Sequence, residues 1–216
     1  MIVGERHRLG LGLVIACLVL ISMHWLGLTP RVDRALFDQF TLVGGVDAQP
    51  AQVVVVTVPV VEPTPLRRLI EAAPGTKAWV VADEQIDSVP GGANIISYDS
   101  SLGCMQRPID GIFRRANAAC FKPLSGNPPV LRDSDALLDF SVGRGHIPIL
   151  DLAQALESGW LAELADGRVV LLGPSVDPSA VAMLTPLDQP GDEGMSPAIY
   201  QAFALDALLS ERTIGL

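Results

Sequence analysis

The stretch QVVVVTVPVV, from Gln52 to Val61, decides the fold. It is a continuous β-branched run with no polar alternation. A strand with one wet face would alternate; a run apolar at every position is a strand buried on both faces, as in a parallel sheet covered by helices. Pro59 limits how far its ladder extends, because proline lacks the N–H that a neighbouring strand needs. Next comes PTPLRRLIEAAPG, residues 63–75, a helix with proline at its start and Pro74-Gly75 at its stop. KAWVVA, residues 77–82, is a second buried strand. Residues 52–82 therefore read as one βαβ unit with a right-handed crossover.

Working outward, ANIISY (93–98) reads as a third strand and LLDFSV (137–142) as a fourth. A helix is expected over Pro148–Gly159, another buried strand over Arg168–Gly173, and a terminal amphipathic helix over Pro197–Ser210. Between Asp99 and Asp135 the chain is rich in Gly, Pro, Asp and Ser, with one short helix expected from Asp110 to Ala119. Upstream, Val32, Leu36, Phe40 and Val43 recur at spacings of three and four, predicting an amphipathic helix that ends at Gly44-Gly45. Strands alternating with helices define an α/β fold with a single mainly parallel sheet covered by helices.

The remaining apolar content lies at the N-terminus. Of 216 residues, 49% are apolar and 18% charged, and the mean hydropathy is +0.38, high for a purely soluble protein. Leu9–Leu28 contains no formal charge, and 20 helical residues span about 30 Å, the thickness of a bilayer's hydrocarbon. Trp25 and His24 near its end suit the headgroup level, and Pro30 closes it. The apolar core is too long for a cleaved signal peptide, so residues 9–28 are expected to sit in membrane lipid as an uncleaved transmembrane helix. Residues 1–30 then form the anchor and residues 31–216 the extracytoplasmic domain. Arg6 and Arg8 lean the N-terminus toward the cytoplasm. Gly12 and Ala16 form a small-xxx-small pair that would let two such helices approach as a homodimer. The net charge is −9, and the anchor carries +1, which leaves −10 outside. So acidic a domain repels phosphate backbones, and nucleic acid is not an expected partner.

The chemistry-bearing residues are few. No GxxxxGK[ST], GxGxxG or GxSxG sequence is present, so no phosphate-cradling turn or nucleophile elbow is expected. His7 and His24 belong to the anchor region. His146 is left as a lone histidine, which reads as a solvated loop residue and cannot build a His-rich zinc site. In parallel sheets, ligands favour the carboxyl ends of strands. Those ends carry Asp83 and Glu84, then Ser175 and Asp177, which form the candidate ligand-binding set; the same residue types also cap helices and turns there. Cys104 and Cys120, 16 positions apart, are either a disulfide closing the irregular loop or two separate buried thiols. No enzyme activity, no metal and no cofactor is expected.

The order of these features resembles the CHASE2 domain, an extracytoplasmic sensory module of bacterial signalling proteins. The resemblance rests on the N-terminal apolar helix followed by Asp33-Arg34 and Phe37-Asp38, and on the strand ending at Asp83. It continues in Ile147-Pro148-x-x-Asp151-Leu152-x-x-Ala155-Leu156, Gly167-Arg-Val-Val-Leu-Leu-Gly173, Thr185-Pro186 and the closing Ala204–Ser210 helix. The C-terminal third carries the most specific match. The sequence departs from the family with Val58-Pro59 in place of Ile-Asp, with Val181 in place of an acidic residue, and with Gln201 in place of a histidine.

The resemblance implies a membrane-anchored sensor of the bacterial inner membrane, single-pass, with its C-terminal domain outside. It would pass a stimulus to a cytoplasmic cyclase, kinase or cyclic-di-GMP enzyme not contained in these residues. The other expectation left open is a non-catalytic accessory or scaffold protein of the cell envelope that binds another membrane protein.

Overall fold

A computed structural model of the chain describes residues 18–19, 21–22, 50–59, 66–82, 92–99, 113–131, 135–138, 140–157, 159–174, 183–188 and 194–214. The chain divides into two compact units, Met1–Gly44 and Gly45–Leu216. In the first, the expected membrane helix at 9–28 and the helix at 32–43 lie outside the described residues apart from four positions. Among the described residues no helix is long and apolar enough to cross a membrane.

The second unit is an α/β layer structure. Its strands are β1 (Val53–Val58), β2 (Ala78–Ala82), β3 (Ile95–Tyr98), β4 (Arg115–Asn117), β5 (Phe121–Ser125), β6 (Asp135–Leu138), β7 (Ile149–Asp151), β8 (Val169–Pro174) and β9 (Thr213–Ile214). Its helices are α1 (Leu66–Ala72), α2 (Leu152–Glu157), α3 (Trp160–Ala165) and α4 (Pro197–Leu209). Six strands form the main sheet in the order β5-β3-β2-β8-β1-β7, and all but β5 run parallel. Three short antiparallel strands form a second sheet, β4-β6-β9.

The valine run does what its composition predicts. Val53 and Val55 belong to one core, Val54, Val56 and Val58 to the other, and all five are at most 1% exposed. A strand sends successive side chains to opposite faces, so a run apolar at every position is buried only where both faces are covered. On one face Trp79, Val81, Val170 and Leu172 join it against Leu69 of α1, Ala155 of α2, and Leu161 and Ala165 of α3. On the other face Val80, Val169 and Leu171 meet α4.

β8 lies between β1 and β2, with Val55 opposite Leu171 on one side and Val80 opposite Leu171 on the other. The β1–α1–β2 unit therefore skips a position that a strand from the far end of the chain fills. Pairing of neighbours in sequence is only a tendency.

Several expectations are corrected. The helix expected at Asp110–Ala119 is, over its described part, the strand β4, followed by a 3₁₀ turn at Ala118–Cys120 that Asn117 caps through Ala119 N–H. Pairing with β6 overrides local helix propensity there. The helix expected at Pro148–Gly159 begins at Leu152, because Ile149–Asp151 pairs with β1 instead. A reciprocal cap sets the boundary: Asp151 Oδ1 accepts Gln154 N–H at 2.7 Å, and Gln154 Oε1 accepts Asp151 N–H at 3.2 Å. The strand expected at 137–142 is Asp135–Leu138, with a turn at Ser141-Val142. The terminal helix is not amphipathic. From Ala198 to Leu208 every residue but Ile199 is buried, since α4 is held between the main sheet and the small one.

Candidate functional site

α4 runs antiparallel to the parallel strands. Its first turn meets the carboxyl end of β8, where Gly173 packs against Ala198 so closely that a Cβ on Gly173 would overlap Ala198 Cβ. Its start is a Ser196 cap, whose Oγ accepts Ile199 N–H at 3.3 Å, followed by Pro197. Its last turn reaches the amino end of β1, where Asp206 is 1% exposed.

A buried carboxylate in an apolar helix needs partners, because taking a charge out of water costs several kcal/mol. Asp206 has three. Its Oδ1 accepts the Gln52 backbone N–H at 2.6 Å. Its Oδ2 takes the Arg212 guanidinium and lies 3.2 Å from His146 Nε2. Arg212 Nη2 also stands 3.4 Å from that same ring nitrogen. The side chains of His146 and Arg212 are 6% and 12% exposed.

The chain reversal after α4 delivers the arginine. Ser210 N–H bonds Asp206 O, Arg212 N–H bonds Ala207 O, and Glu211 takes the left-handed conformation at φ 55°. This is a helix stop in which the residue after the cap turns the chain back on itself. Arg212 Nε then donates to Ser210 Oγ at 3.0 Å.

His146 is thus no solvated loop residue. It sits on a 3₁₀ turn, Arg144–His146, entered through Gly143 at φ 72°, which aims the ring at α4. A signal for this cluster was present in the sequence: Asp206 is the one charge in the apolar stretch Ala202–Leu209, and buried carboxylates are paired.

The hydroxyl beside the cluster, Ser210 Oγ, donates to Asp206 O at 2.5 Å and accepts from Arg212 Nε at 3.0 Å. Among the described residues no group of three or more His, Cys, Asp and Glu is placed to hold a metal. Asp83, Glu84, Ser175 and Asp177 all lie outside the described residues, so the structure does not bring them together or separate them. Cys120 is buried and disulfide-bonded; its partner lies outside the described residues, as Cys104 does.

Thr185 N–H and Oγ1 both donate to Asp188 Oδ2, at 2.6 and 2.7 Å, which closes the turn that begins Thr185-Pro186. A cleft of about 520 Å³ opens beside β5, walled by Phe121, Pro123, Pro128, Pro129 and Leu131, and among the described residues no ionisable side chain lines it. Comparison of the chain with protein-family models, with curated proteins and with solved structures finds no match.

Proposed function

We propose that the chain is a membrane-anchored, extracytoplasmic sensory domain of bacterial signal transduction, of the CHASE2 kind and without catalysis of its own. Residues 9–28 anchor it, and residues 31–216 receive the stimulus and pass it to a cytoplasmic cyclase, kinase or cyclic-di-GMP enzyme. One observation carries the reading. The three segments most like the family form the framework of the domain: Ile147–Leu156 supplies β7 and α2, Gly167–Gly173 supplies the central strand β8, and Ala204–Ser210 closes α4. The ligand edge of such a domain is the carboxyl end of the parallel strands, beyond Ala82 and Pro174, where Asp83, Glu84, Ser175 and Asp177 follow in sequence.

The test is made on the full chain. A phosphatase fused after Leu216 is expected to be active outside the cytoplasm, and the detergent-solubilised protein to melt at higher temperature with a small polar ligand from a screen. A fusion active only in the cytoplasm overturns the orientation. A stable complex with another envelope protein, with no response to any small ligand, replaces the sensor by an accessory or scaffold protein.

A further inference from the structure

We propose that His146, Asp206 and Arg212 form a proton-responsive latch that holds the C-terminal strand β9 to the domain and releases it on acidification. The latch stands whether or not the domain is a sensor.

His146 Nε2 lies 3.2 Å from Asp206 Oδ2 and 3.4 Å from Arg212 Nη2. A ring nitrogen either carries a proton and donates, or lacks one and accepts. Facing a carboxylate, Nε2 serves as the donor, so it offers Arg212 no acceptor and Asp206 is the anion shared by both. With the ring neutral the cluster holds one carboxylate and one guanidinium and is balanced.

A second proton on the ring changes that balance. Two cations then compete for Oδ2, while Oδ1 is already occupied by the Gln52 N–H. With side chains at most 12% exposed, little water screens their repulsion. Among the described residues, the ionisable side chains within hydrogen-bond reach of that ring nitrogen are Asp206 from α4 and Arg212 from the segment entering β9.

Arg212 is the member that yields. Asp206 is fixed within α4 and to Gln52 just before β1, whereas the Arg212 side chain is the most exposed of the three, and its buried Nη1 has no partner among the described residues. Behind it β9 is only Thr213–Ile214, paired with Leu138 and Leu137. Losing the Arg212 anchor leaves this two-residue strand resting on its pairing with β6, so protonation at His146 becomes a movement of β9.

Hydrogen exchange of the full chain in detergent tests this, with peptides covering 210–214 compared with β8 peptides at each pH. Protection of 210–214 is expected to fall about tenfold relative to β8 when the pH is lowered from about 8 to about 5. In His146→Gln, whose amide still donates to Asp206, the fall is expected to vanish. In Arg212→Gln the sign is expected to reverse, because a protonated ring then faces the carboxylate alone. Protection that is unchanged or increased on acidification of the wild-type protein overturns the latch, as does the same fall in His146→Gln. Should His146→Gln not fold, a fall of the wild-type size in Arg212→Gln overturns it equally.

Discussion

Asp206 Oδ1 accepts the backbone N–H of Gln52 at 2.6 Å, joining two residues 154 positions apart. Gln52 directly precedes β1, so this one bond ties the last helix to the first strand of the main sheet. Gln52 also serves β8, whose Val169 N–H donates to Gln52 O at 2.9 Å. The residue is thereby held on both sides by elements from the C-terminal third.

Asp206→Asn is accordingly expected to destabilise the domain by about 3 kcal/mol, as measured by denaturant unfolding. It leaves the Arg212 guanidinium buried without its anion, and breaking one partner of a buried pair is costly. A loss below about 1 kcal/mol would assign the cluster no role in holding α4 and would fit a surface ion pair instead.

Gly173→Ala is expected to destabilise by about 1–3 kcal/mol, the cost of overpacking a filled core, because the new methyl overlaps Ala198 Cβ. The double variant Gly173→Ala with Ala198→Gly restores the space and is expected to recover most of that loss, less about 1 kcal/mol for glycine inside a helix. Additive losses in the pair would place the damage somewhere other than this contact.

Tyr200→Phe removes a hydroxyl that donates to Arg115 O at 2.7 Å and leaves the ring packed edge-on against Phe113, with centroids 5.6 Å apart. A loss of about 1 kcal/mol is expected, the usual net worth of one hydrogen bond. Faster exchange confined to β4 and β6 would be the accompanying sign, since that bond fastens the small sheet to α4.

Leu161→Ala, at a fully buried position of α3, is expected to cost about 2–5 kcal/mol. Arg67→Ala on α1 removes an exposed pair with Glu71 at 3.1 Å and is expected to cost at most about 0.5 kcal/mol. Equal losses from these two helices would contradict the layering in which α1 and α3 bury one stripe each against the main sheet.

Non-reducing peptide mapping is expected to recover Cys104 linked to Cys120. Closing that loop stabilises the native state by about 3 kcal/mol on a chain-entropy basis. Recovery of Cys120 linked to Cys17 would refute the pairing.

The main sheet was legible where its strands are apolar at every position. Val53–Val58, Ala78–Ala82 and Val169–Pro174 are the strands read from composition alone, and they form the centre of the sheet. Its edges were not legible. β5, with Pro123 in it, and the three-residue β7 have too few residues for a periodicity, and each exists because a neighbour offers free N–H and C=O groups. α4 was read in the right place with the wrong environment: amphipathicity was expected of a helix with one wet face, and the small sheet covers that face.

The candidate site shows the same division. An aspartate in an apolar helix, a single histidine beyond residue 30 and an arginine six residues after the aspartate were all visible as letters. Their meeting depends on Gly143 turning the chain into the His146 turn, on Glu211 reversing it after α4, and on α4 lying antiparallel to β1. Burial on both faces is a local property, because each residue of a strand either is apolar or is not, so the covered parallel sheet could be read from the residues themselves. Which strand stands at its centre, and which distant charges share one carboxylate, are long-range pairings between segments that local propensity does not encode. Only the tertiary structure decided those.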